Sequence, residues 1–262
     1  MAPLLVPVLR RELKRLYIEP FFGGGAAFAA LKPKRALLSD VNEDLIRALR
    51  TIRTDHNQVS RAVHRFSNTE ECYYEVRRSR PRTKIGHAAR FLYLNRTSWG
   101  GIQRFNQEGI FNVPFGNSGR VICRKANLLE FARLLRTARL ECGDFEDRVT
   151  RAGPGDVVYA DPPYTTIGEN NGFLRYNEHL FSWSDQQRLA RSARAAAHRG
   201  AFIVVSGLWH SQIRMLYQGW WAAKLKRKVC VSREVNARRQ ISEAVLFSRK
   251  PKISGVDSLI RL

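Results

Sequence analysis

Four consecutive residues, Asp161-Pro162-Pro163-Tyr164, follow the apolar run Val157–Ala160 and bring together groups that could act on an amine. The two prolines fix the backbone and remove two N–H donors, which leaves carbonyl acceptors, a carboxylate and an aromatic ring at the end of a strand. That set suits the exocyclic amine of adenine: Asp161 and a proline carbonyl would accept its two hydrogens and raise the electron density on nitrogen as it attacks a methyl sulfonium. Tyr164 would stack on a base extruded from the duplex. The alternative is a turn capped by the aspartate.

A second motif, Glu19-Pro20-Phe21-Phe22-Gly23-Gly24-Gly25, lies between a predicted strand and a helix-forming run. Glycines at such a junction let the backbone approach a ligand and expose amide donors, which suits a nucleotide-like cofactor. Asp40 ends the next apolar run, 17 residues after Gly23, where a carboxylate can accept both hydroxyls of a ribose. Because the G-x-G-x-x-G pattern is absent, a nucleoside cofactor without phosphate, such as S-adenosylmethionine, fits better than NAD. The alternative is a tight glycine turn with no ligand.

Strands that alternate with helices must position these residues. Apolar runs predict strands at 15–20, 35–39, 156–160, 201–206, 221–231 and 241–247. Helical patterns lie at 43–52, 184–198 and 210–217. The alternation indicates an α/β fold with a mostly parallel, helix-covered sheet.

The middle of the chain, residues 54–136, does not follow this alternation. It is rich in Arg, Asn and aromatic residues, shows helical patterns near 72–78 and 87–94, and becomes loop-like over 95–120. We interpret 54–136 as an inserted recognition domain, and 1–53 together with 137–262 as the catalytic domain.

The composition is that of a folded, strongly basic protein. The 262 residues include 45 Lys and Arg against 23 Asp and Glu, a formal charge of +22, and 44% of them are hydrophobic. The charge recurs from Arg10 to Arg261, which favours a polyanionic partner, with nucleic acid ahead of membrane. No apolar stretch approaches the roughly 18 to 20 residues that span a bilayer, and the four cysteines lack zinc-ligand spacing. We therefore expect a cytoplasmic protein with no structural metal, no membrane segment and no signal peptide.

Six short motifs, in their order along the chain, resemble those of the Dam-type DNA adenine-N6 methyltransferases, and the resemblance covers nearly the whole chain. The motifs are Glu19–Gly25, Asp40-Val41-Asn42, Leu94-Asn95-Arg96, Phe111–Gly116, Gly143-Asp144-Phe145 and Asp161–Tyr164. The resemblance implies a Rossmann-like, seven-stranded mixed sheet of the S-adenosylmethionine-dependent methyltransferase fold. It also implies that 54–136 is an inserted helical domain that recognises a target in double-stranded DNA.

The same resemblance assigns the cofactor and catalytic residues. Phe21 and Gly23 would line the methionine part of S-adenosylmethionine, Asp40 would hold its ribose, and Asp144 and Phe145 would hold its adenine by hydrogen bond and ring contact. The other predicted cofactor residues are Glu19, Pro20, Gly25, Asn42 and Asp161. The predicted catalytic residues are Asp161, Pro162, Pro163 and Tyr164, which would act by base flipping and direct in-line methyl transfer without a covalent enzyme intermediate.

The segment 95–106 is similar to the hairpin loop with which this family enters the duplex. By that similarity Trp99 is an intercalating wedge and Arg104 reads guanine in the major groove; Trp99 could instead belong to a small core, and Arg104 could contact phosphate. Gly100 stands where a polar residue follows the aromatic in Dam, which leaves the target sequence open. The other predicted DNA contacts are Asn95, Arg96, Ile102, Asn112, Pro114, Arg233, Arg238 and Arg239. The basic stretch 233–239 could equally be a solvated hairpin tip.

Family members usually carry a Trp- and Gly-rich segment before the helix that begins here near Pro3, and we expect such a segment upstream of Met1. The sequence is also compatible with two other functions: an RNA adenine or guanine N-methyltransferase, and a DNA-binding relative that has lost its cofactor. A palindromic target would allow a homodimer, and the sequence does not decide between monomer and dimer.

Overall fold

The computed structural model describes residues 2–101, 111–116, 123–163, 181–228, 240–251 and 259–262. The chain divides into two compact units, the first formed by residues 1–41 and 141–262 and the second by residues 42–140. The insertion expected at 54–136 falls within the second unit. None of the helices formed by the described residues combines the length and hydrophobicity that a membrane span requires.

Eight strands make up one mixed sheet in the described part of the chain. They are β1 (Tyr17–Glu19), β2 (Ala36–Asp40), β3 (Ala138–Cys142), β4 (Val157–Ala160), β5 (Phe202–Leu208), β6 (Trp221–Lys228), β7 (Gln240–Phe247) and β8 (Leu259–Arg261). Their order is β3-β2-β1-β4-β5-β7-β6-β8. β1 pairs in parallel with β2 and β4, and β4 with β5, whereas β7 runs antiparallel to β5 and β6. The predicted α/β, Rossmann-like mixed sheet is confirmed.

The predicted count of seven strands was wrong by one. β8 pairs with β6 at one end of the sheet, has three residues and is partly exposed, so its sequence carries too little pattern to be recognised. β3 also escaped the prediction from apolar runs because Arg139 and Glu141 interrupt its apolar residues.

Among the described residues of the first unit, five helices accompany these strands. They are α1 (Ala2–Glu12), α2 (Ala26–Leu31), α7 (Glu146–Val149), α8 (Trp183–His198) and α9 (Ser211–Leu216). α8 begins in a capping box, in which the Ser182 side chain accepts a bond from the Asp185 backbone and the Asp185 carboxylate accepts one from Ser182. Such reciprocal bonds satisfy backbone donors that a helix start leaves unpaired. The alanine-rich face of α8 packs into the core of the unit.

The central strands β1 and β4 are buried along their whole length, and β5 is buried up to its last residue. Parallel strands covered on both faces have this continuous apolar character. Because β1, β2, β4 and β5 point the same way, the residues that follow them share one edge of the sheet, which we call the carboxyl edge. The residues that precede them share the opposite, amino edge.

The second unit is helical. Its helices are α3 (Glu43–Val63), α4 (Glu70–Arg78), α5 (Lys84–Thr97) and α6 (Lys125–Leu135), and a short 3-10 turn covers Trp99–Gly101. Asn42, Thr69 and Thr83 cap α3, α4 and α5 through side-chain oxygens. A small apolar core of this unit includes Tyr73, Tyr93, Phe111 and Val113.

Candidate active site

The carboxyl edge gathers the residues after β1, β2, β4 and β5. β4 and β5 pair in register from Val157 with Phe202 to Ala160 with Val205, so Asp161 and Ser206 are the next residues of two neighbouring strands. β1 pairs with β4 on its other side, which places Glu19 at the same end. Ligands of open α/β sheets bind at this edge.

Asp161 is held by Ser206. The Ser206 hydroxyl lies 2.5 Å from Oδ1 of Asp161 and 3.2 Å from the Ala160 carbonyl oxygen. A serine donates a single proton, and the nearer and charged acceptor is Asp161. Ser206 is fully buried whereas Asp161 is exposed, so the hydroxyl fixes the carboxylate from beneath.

Two tyrosines and Glu19 extend this arrangement below the surface. The Tyr159 hydroxyl hydrogen-bonds with Asp161 and Ser206, and burial, followed by the charge of Asp161, raises its pKa above the ordinary value. Tyr17 donates to Oε2 of Glu19 at 2.8 Å. Burial, followed by the charge of Asp161, raises the pKa of Glu19 to about 8 against the opposing effect of bonds from Tyr17 and the Phe28 backbone. The polar layer under Asp161 is therefore largely neutral at pH 7.

Burial also determines what Glu19 and Pro20 can contact. The Glu19 side chain points into the protein, where its carboxyl group accepts bonds from Tyr17 and from the Phe28 backbone in α2. Pro20 is buried beside it. Glu19 thus supports the glycine turn from within, and direct contact of Glu19 with a cofactor remains a prediction that its burial does not favour.

The glycine turn between β1 and α2 is joined to Asp40. The Gly23 backbone N–H donates to Oδ2 of Asp40 at 3.0 Å, and the Phe22 N–H donates to the Ser39 carbonyl oxygen at 2.9 Å. Gly25 has a φ of +64°, and a Cβ at this position would lie 2.4 Å from the Phe22 ring. Only glycine satisfies both conditions, so the turn shape depends on Gly25.

Asp144 follows β3 and lies in a cluster of charges. Its Oδ1 accepts from the Glu146 backbone at 2.8 Å and from Arg188 Nη2 at 2.9 Å. Arg188 also bonds with Glu146 and Asp185, so three carboxylates converge on one guanidinium. Asp144 is about half exposed, and its Oδ2 accepts no hydrogen bond from the described residues.

Phe145, next to Asp144, is packed among rings. Its centroid lies 5.1 Å from the stacked Phe21 ring and 5.5 Å from Phe181, and the Arg188 guanidinium lies 5.0 Å from it. Phe145 is 5% exposed, so a ligand can reach only its rim. Asp144 and Phe145 were predicted to hold the cofactor adenine together. The structure gives them an exposed carboxylate oxygen and the rim of an aromatic ring for that contact.

Three further predicted residues lie in the second unit. Asn42 accepts from the Leu45 N–H at 3.1 Å and caps α3, so its amide oxygen has a structural partner. Asn95 and Arg96 are exposed in the last turn of α5.

Trp99 is partly buried against the small core of the second unit. Its backbone N–H donates to the Pro114 carbonyl oxygen at 2.9 Å, and Ser98 forms a bridge with Phe115. A Cβ on Gly116 would lie 2.7 Å from the Ser98 carbonyl oxygen, so this pairing requires glycine there. Asn112 and Pro114 belong to the same paired segment, 111–116. The placement of Trp99 agrees with the small core named as its alternative role, and intercalation remains a prediction.

Some predicted residues lie outside the described residues: Tyr164, Ile102, Arg104, Arg233, Arg238 and Arg239. Within the described residues no group of His, Cys, Asp and Glu side chains could hold a metal ion.

The sequence prediction missed two site residues, Ser206 and Arg188. Ser206 is the one hydroxyl residue in the apolar run Phe202–Leu208, directly beyond the level of Ala160, and a polar residue there was a usable signal. Arg188 is one of several arginines in α8, and nothing in its spacing separates it from the others.

The strand order and the glycine turn after β1 define an α/β protein of the Rossmann-like class. A family profile described as D12 class N6 adenine-specific DNA methyltransferase matches residues 2–232. The chain therefore belongs to the D12 class of N6 adenine-specific DNA methyltransferases, and it is an enzyme of that class.

Individual relatives agree with the family. The chain is 36% identical over 212 residues to the DNA N-6-adenine-methyltransferase of Escherichia phage P1, an alignment that covers 79% of this chain and 28% of that much longer protein. It is 32% identical to the type II methyltransferase M.MjaIII of Methanocaldococcus jannaschii, with 84% of each covered. It is 28% identical to the DNA adenine methylase of Escherichia coli K12, with 96% of this chain and 93% of that protein covered.

Proposed function

We propose that this protein transfers the methyl group of S-adenosylmethionine to the N6 amine of an adenine flipped out of double-stranded DNA. The observation that carries the proposal is the Asp161 carboxylate, fixed by Ser206 at the carboxyl edge. The glycine turn and Asp40 belong to the same edge. An RNA substrate is not favoured, because the family and the relatives from phage P1 and Escherichia coli are described as DNA adenine methyltransferases.

The chemistry of the carboxyl edge fits a nucleoside cofactor. Asp40 would accept from the ribose hydroxyls, and the open Oδ2 of Asp144 would accept from the adenine amine, with the rim of Phe145 against the base. Gly23 and Gly24 leave open space above the turn, since a Cβ at either would meet no atom within 4 Å. S-adenosylmethionine supplies, when bound, a methyl group on a positively charged sulfur.

Asp161 and the proline carbonyls would prepare the amine. They accept its two hydrogens, which localises the nitrogen lone pair for attack on the methyl carbon. Transfer would form a nitrogen–carbon bond as the carbon–sulfur bond breaks and its electron pair returns to sulfur, and Asp161 would take up one amine proton. Ser206, which donates to Oδ1, holds the Asp161 carboxylate in place for this contact.

Recognition of DNA is assigned to the second unit, which contains the proposed insertion 54–136. Its support is the small core that fixes segment 111–116 beside Ser98 and Trp99, together with its arginines. Two of these hold the backbone of that region: Arg77 donates to the Val113 carbonyl oxygen at 3.1 Å, and Arg90 to Val76 at 3.0 Å. Action as a homodimer on palindromic sites remains a prediction.

The test is sequencing of N6-methyladenine in DNA from cells that express the wild type or the Asp161→Asn variant. We expect methylation at one recurring motif in the wild type and none in the variant. Asp147→Asn is the matched control, because Asp147 is an exposed carboxylate of α7 paired only with neighbouring Arg148 among the described residues. Methyl label that enters RNA and not DNA would refute the proposal.

Cofactor binding is tested separately by titration of S-adenosylmethionine. Binding to the folded protein alone stabilises it by RT ln(1 + [L]/Kd), about 2.7 kcal/mol at a hundredfold excess over Kd. A melting temperature that does not rise would support the catalytically silent relative instead. Asp144→Asn should weaken this stabilisation more than Asp147→Asn does.

A further inference from the structure

The amino edge of the sheet, opposite the proposed active site, is strongly basic. Five segments meet there: 10–15 before β1, 32–35 before β2, 150–156 before β4, 198–200 before β5 and 248–250 after β7. We call these segments the amino-edge surface. They hold eleven Lys or Arg residues and two carboxylates, a formal charge of +9 out of +22 for the chain.

Hydrogen bonds join the five segments into one surface. Lys14 and Arg15 backbone N–H groups donate to the Gly155 carbonyl oxygen at 3.0 and 2.8 Å, and Tyr17 donates to Arg35 at 3.1 Å. Arg199 Nη2 donates to the Thr150 carbonyl oxygen at 2.8 Å. The last segment is joined through Arg249, which pairs with Glu12 at 2.6 Å.

The basic side chains of this surface face solvent. All eleven belong to exposed residues: Arg10, Arg11, Lys14, Arg15, Lys32, Lys34, Arg35, Arg151, Arg199, Arg249 and Lys250. The carboxylates in contact with this surface are already neutralised, because Asp156 pairs with Arg15, Glu12 with Arg249, and Glu141 of β3 with Arg151. The excess positive charge of the surface is therefore presented to a partner.

A duplex at the carboxyl edge does not account for this charge. From Gly200 to Ser206 the chain crosses the sheet in six residues, which at about 3.3 Å each is roughly 20 Å. The Debye length is about 8 to 10 Å at physiological salt, so charges on the amino-edge surface are largely screened from a duplex at the opposite edge.

We propose that the amino-edge surface binds a second segment of double-stranded DNA through its phosphates, without sequence preference, while the target adenine occupies the carboxyl edge. The location of the target adenine rests on the proposed function. The binding of DNA by the amino-edge surface does not depend on that function. Five neighbouring strands, β2-β1-β4-β5-β7, span four gaps of about 4.8 Å, or roughly 19 Å. A duplex carries one phosphate per about 1.7 Å, or about eleven over that length.

The composition of the surface favours DNA over a lipid membrane. Exposed large hydrophobic side chains among the described residues are Val41, Met215 and Ile260, and none of these belongs to the five segments. A membrane-binding surface usually adds apolar side chains that enter the lipid. Seven of the eleven cations are arginines, which bind phosphate in bidentate fashion.

The experiment uses the full chain with two short duplexes in different colours, one containing the target and one lacking it. Sedimentation of the mixture, followed at the wavelengths of both dyes, shows whether one protein molecule carries both duplexes. The test variant is Lys14→Gln/Lys34→Gln/Arg35→Gln. The control is Gln187→Glu/Arg191→Glu, which changes the charge by the same three units on the exposed face of α8.

We expect wild type and control to bind the second duplex and the test variant to bind it at least about tenfold more weakly. The slope of log K against log salt for that duplex should become shallower by up to about 3, since each phosphate contact contributes about 0.9. Methylation of a single short duplex should be retained in all three proteins.

Three results would overturn the proposal: no complex with two duplexes, such a complex only with two proteins, or equal loss in test variant and control. Loss of binding to phosphatidylserine vesicles with unchanged DNA binding would assign the surface to membrane and equally overturn it. Failure of the wild type to methylate the short duplex would refute the proposed function. It would not affect the test of the second DNA site, which measures binding alone.

Discussion

Ser206 donates to Oδ1 of Asp161 over 2.5 Å, from a buried position in β5 to an exposed carboxylate at the end of β4. The oxygen that accepts from Ser206 is thereby fixed, and with it the plane of the carboxylate that we assign to the amine. The contact requires only that β4 and β5 stay in register, which four paired positions ensure.

Ser206→Ala should lower kcat by roughly tenfold or more and change the KM for either substrate little. A hydrogen bond to a charged group contributes about 1.5–3 kcal/mol, and about 1.4 kcal/mol is tenfold in rate. The acidic limb of the pH–rate profile should also move to higher pH, because a carboxylate with one donor fewer is protonated more readily.

Ser192→Ala is the control for Ser206→Ala. Ser192 is also buried, and its hydroxyl donates to the Leu189 carbonyl oxygen at 3.1 Å within α8, away from Asp161. Steady-state kinetics of both variants across pH should separate them. If both lose kcat equally, the positioning role of Ser206 is wrong.

Glu19→Gln should change how stability depends on pH. Burial raises the pKa of Glu19 from 4.5 to about 8, so between these values the folded state binds a proton that the unfolded state has released. Stability contributed by the protonated form is complete below about pH 4.5 and is lost as pH rises to 8. Glu19→Gln has no group that titrates at this position, so its stability does not fall in this way.

The free energy of unfolding of Glu19→Gln, compared with wild type, should therefore improve from pH 5 to pH 8.5 by up to a few kcal/mol. Urea titrations at pH 5, 7 and 8.5 measure the difference, with Asp147→Asn as an exposed-carboxylate control. A difference between Glu19→Gln and wild type that stays constant across pH would show that Glu19 is ionised in the folded protein throughout this range.

Much of the sheet could be predicted because buried parallel strands leave continuous apolar runs. The runs at 156–160 and 201–206 correspond to β4 and β5, and the glycine motif lies between β1 and α2 as expected. β3 and β8 lie at the two ends of the sheet, where strands are half-covered and polar residues interrupt them.

Site residues could be predicted where the chemistry requires one residue type at one position, as for Asp161 after its strand. Contacts that depend on how separate strands pack together could not be predicted from the sequence. The hydrogen bonds among Tyr17, Glu19, Tyr159 and Ser206 depend on the register of three strands, which the sequence of any one strand does not contain. Phe145 was predicted as a ring for adenine, but only the packing of Phe21 and Phe181 shows how little of that ring is exposed.

Arg188→Gln should weaken cofactor binding more than catalysis. Arg188 holds Asp144 at 2.9 Å and covers Phe145, so its loss frees the carboxylate assigned to the cofactor adenine. Since Arg188 is one-third exposed, we expect a modest rise in Kd for S-adenosylmethionine, about threefold to tenfold, with kcat nearly unchanged. Calorimetric titration measures it, with Arg191→Gln on the outer face of α8 as control; equal effects in both would refute the role.

Gly25→Ala should destabilise the protein, whereas Gly24→Ala should not. At Gly25 the added Cβ meets the Phe22 ring at 2.4 Å and the φ of +64° is unfavourable for alanine, while at Gly24 it meets nothing within 4 Å. Strain at such a position costs about 1–3 kcal/mol, which chemical denaturation can resolve. The two adjacent glycines are matched in sequence and differ only in environment.

Because Phe22 packs edge-on against Phe28 of α2, with centroids 5.9 Å apart, a ring displaced by the new Cβ should also disturb the first turn of that helix. A Gly25→Ala protein as stable as Gly24→Ala would mean that the turn accommodates a side chain and that its shape does not depend on glycine.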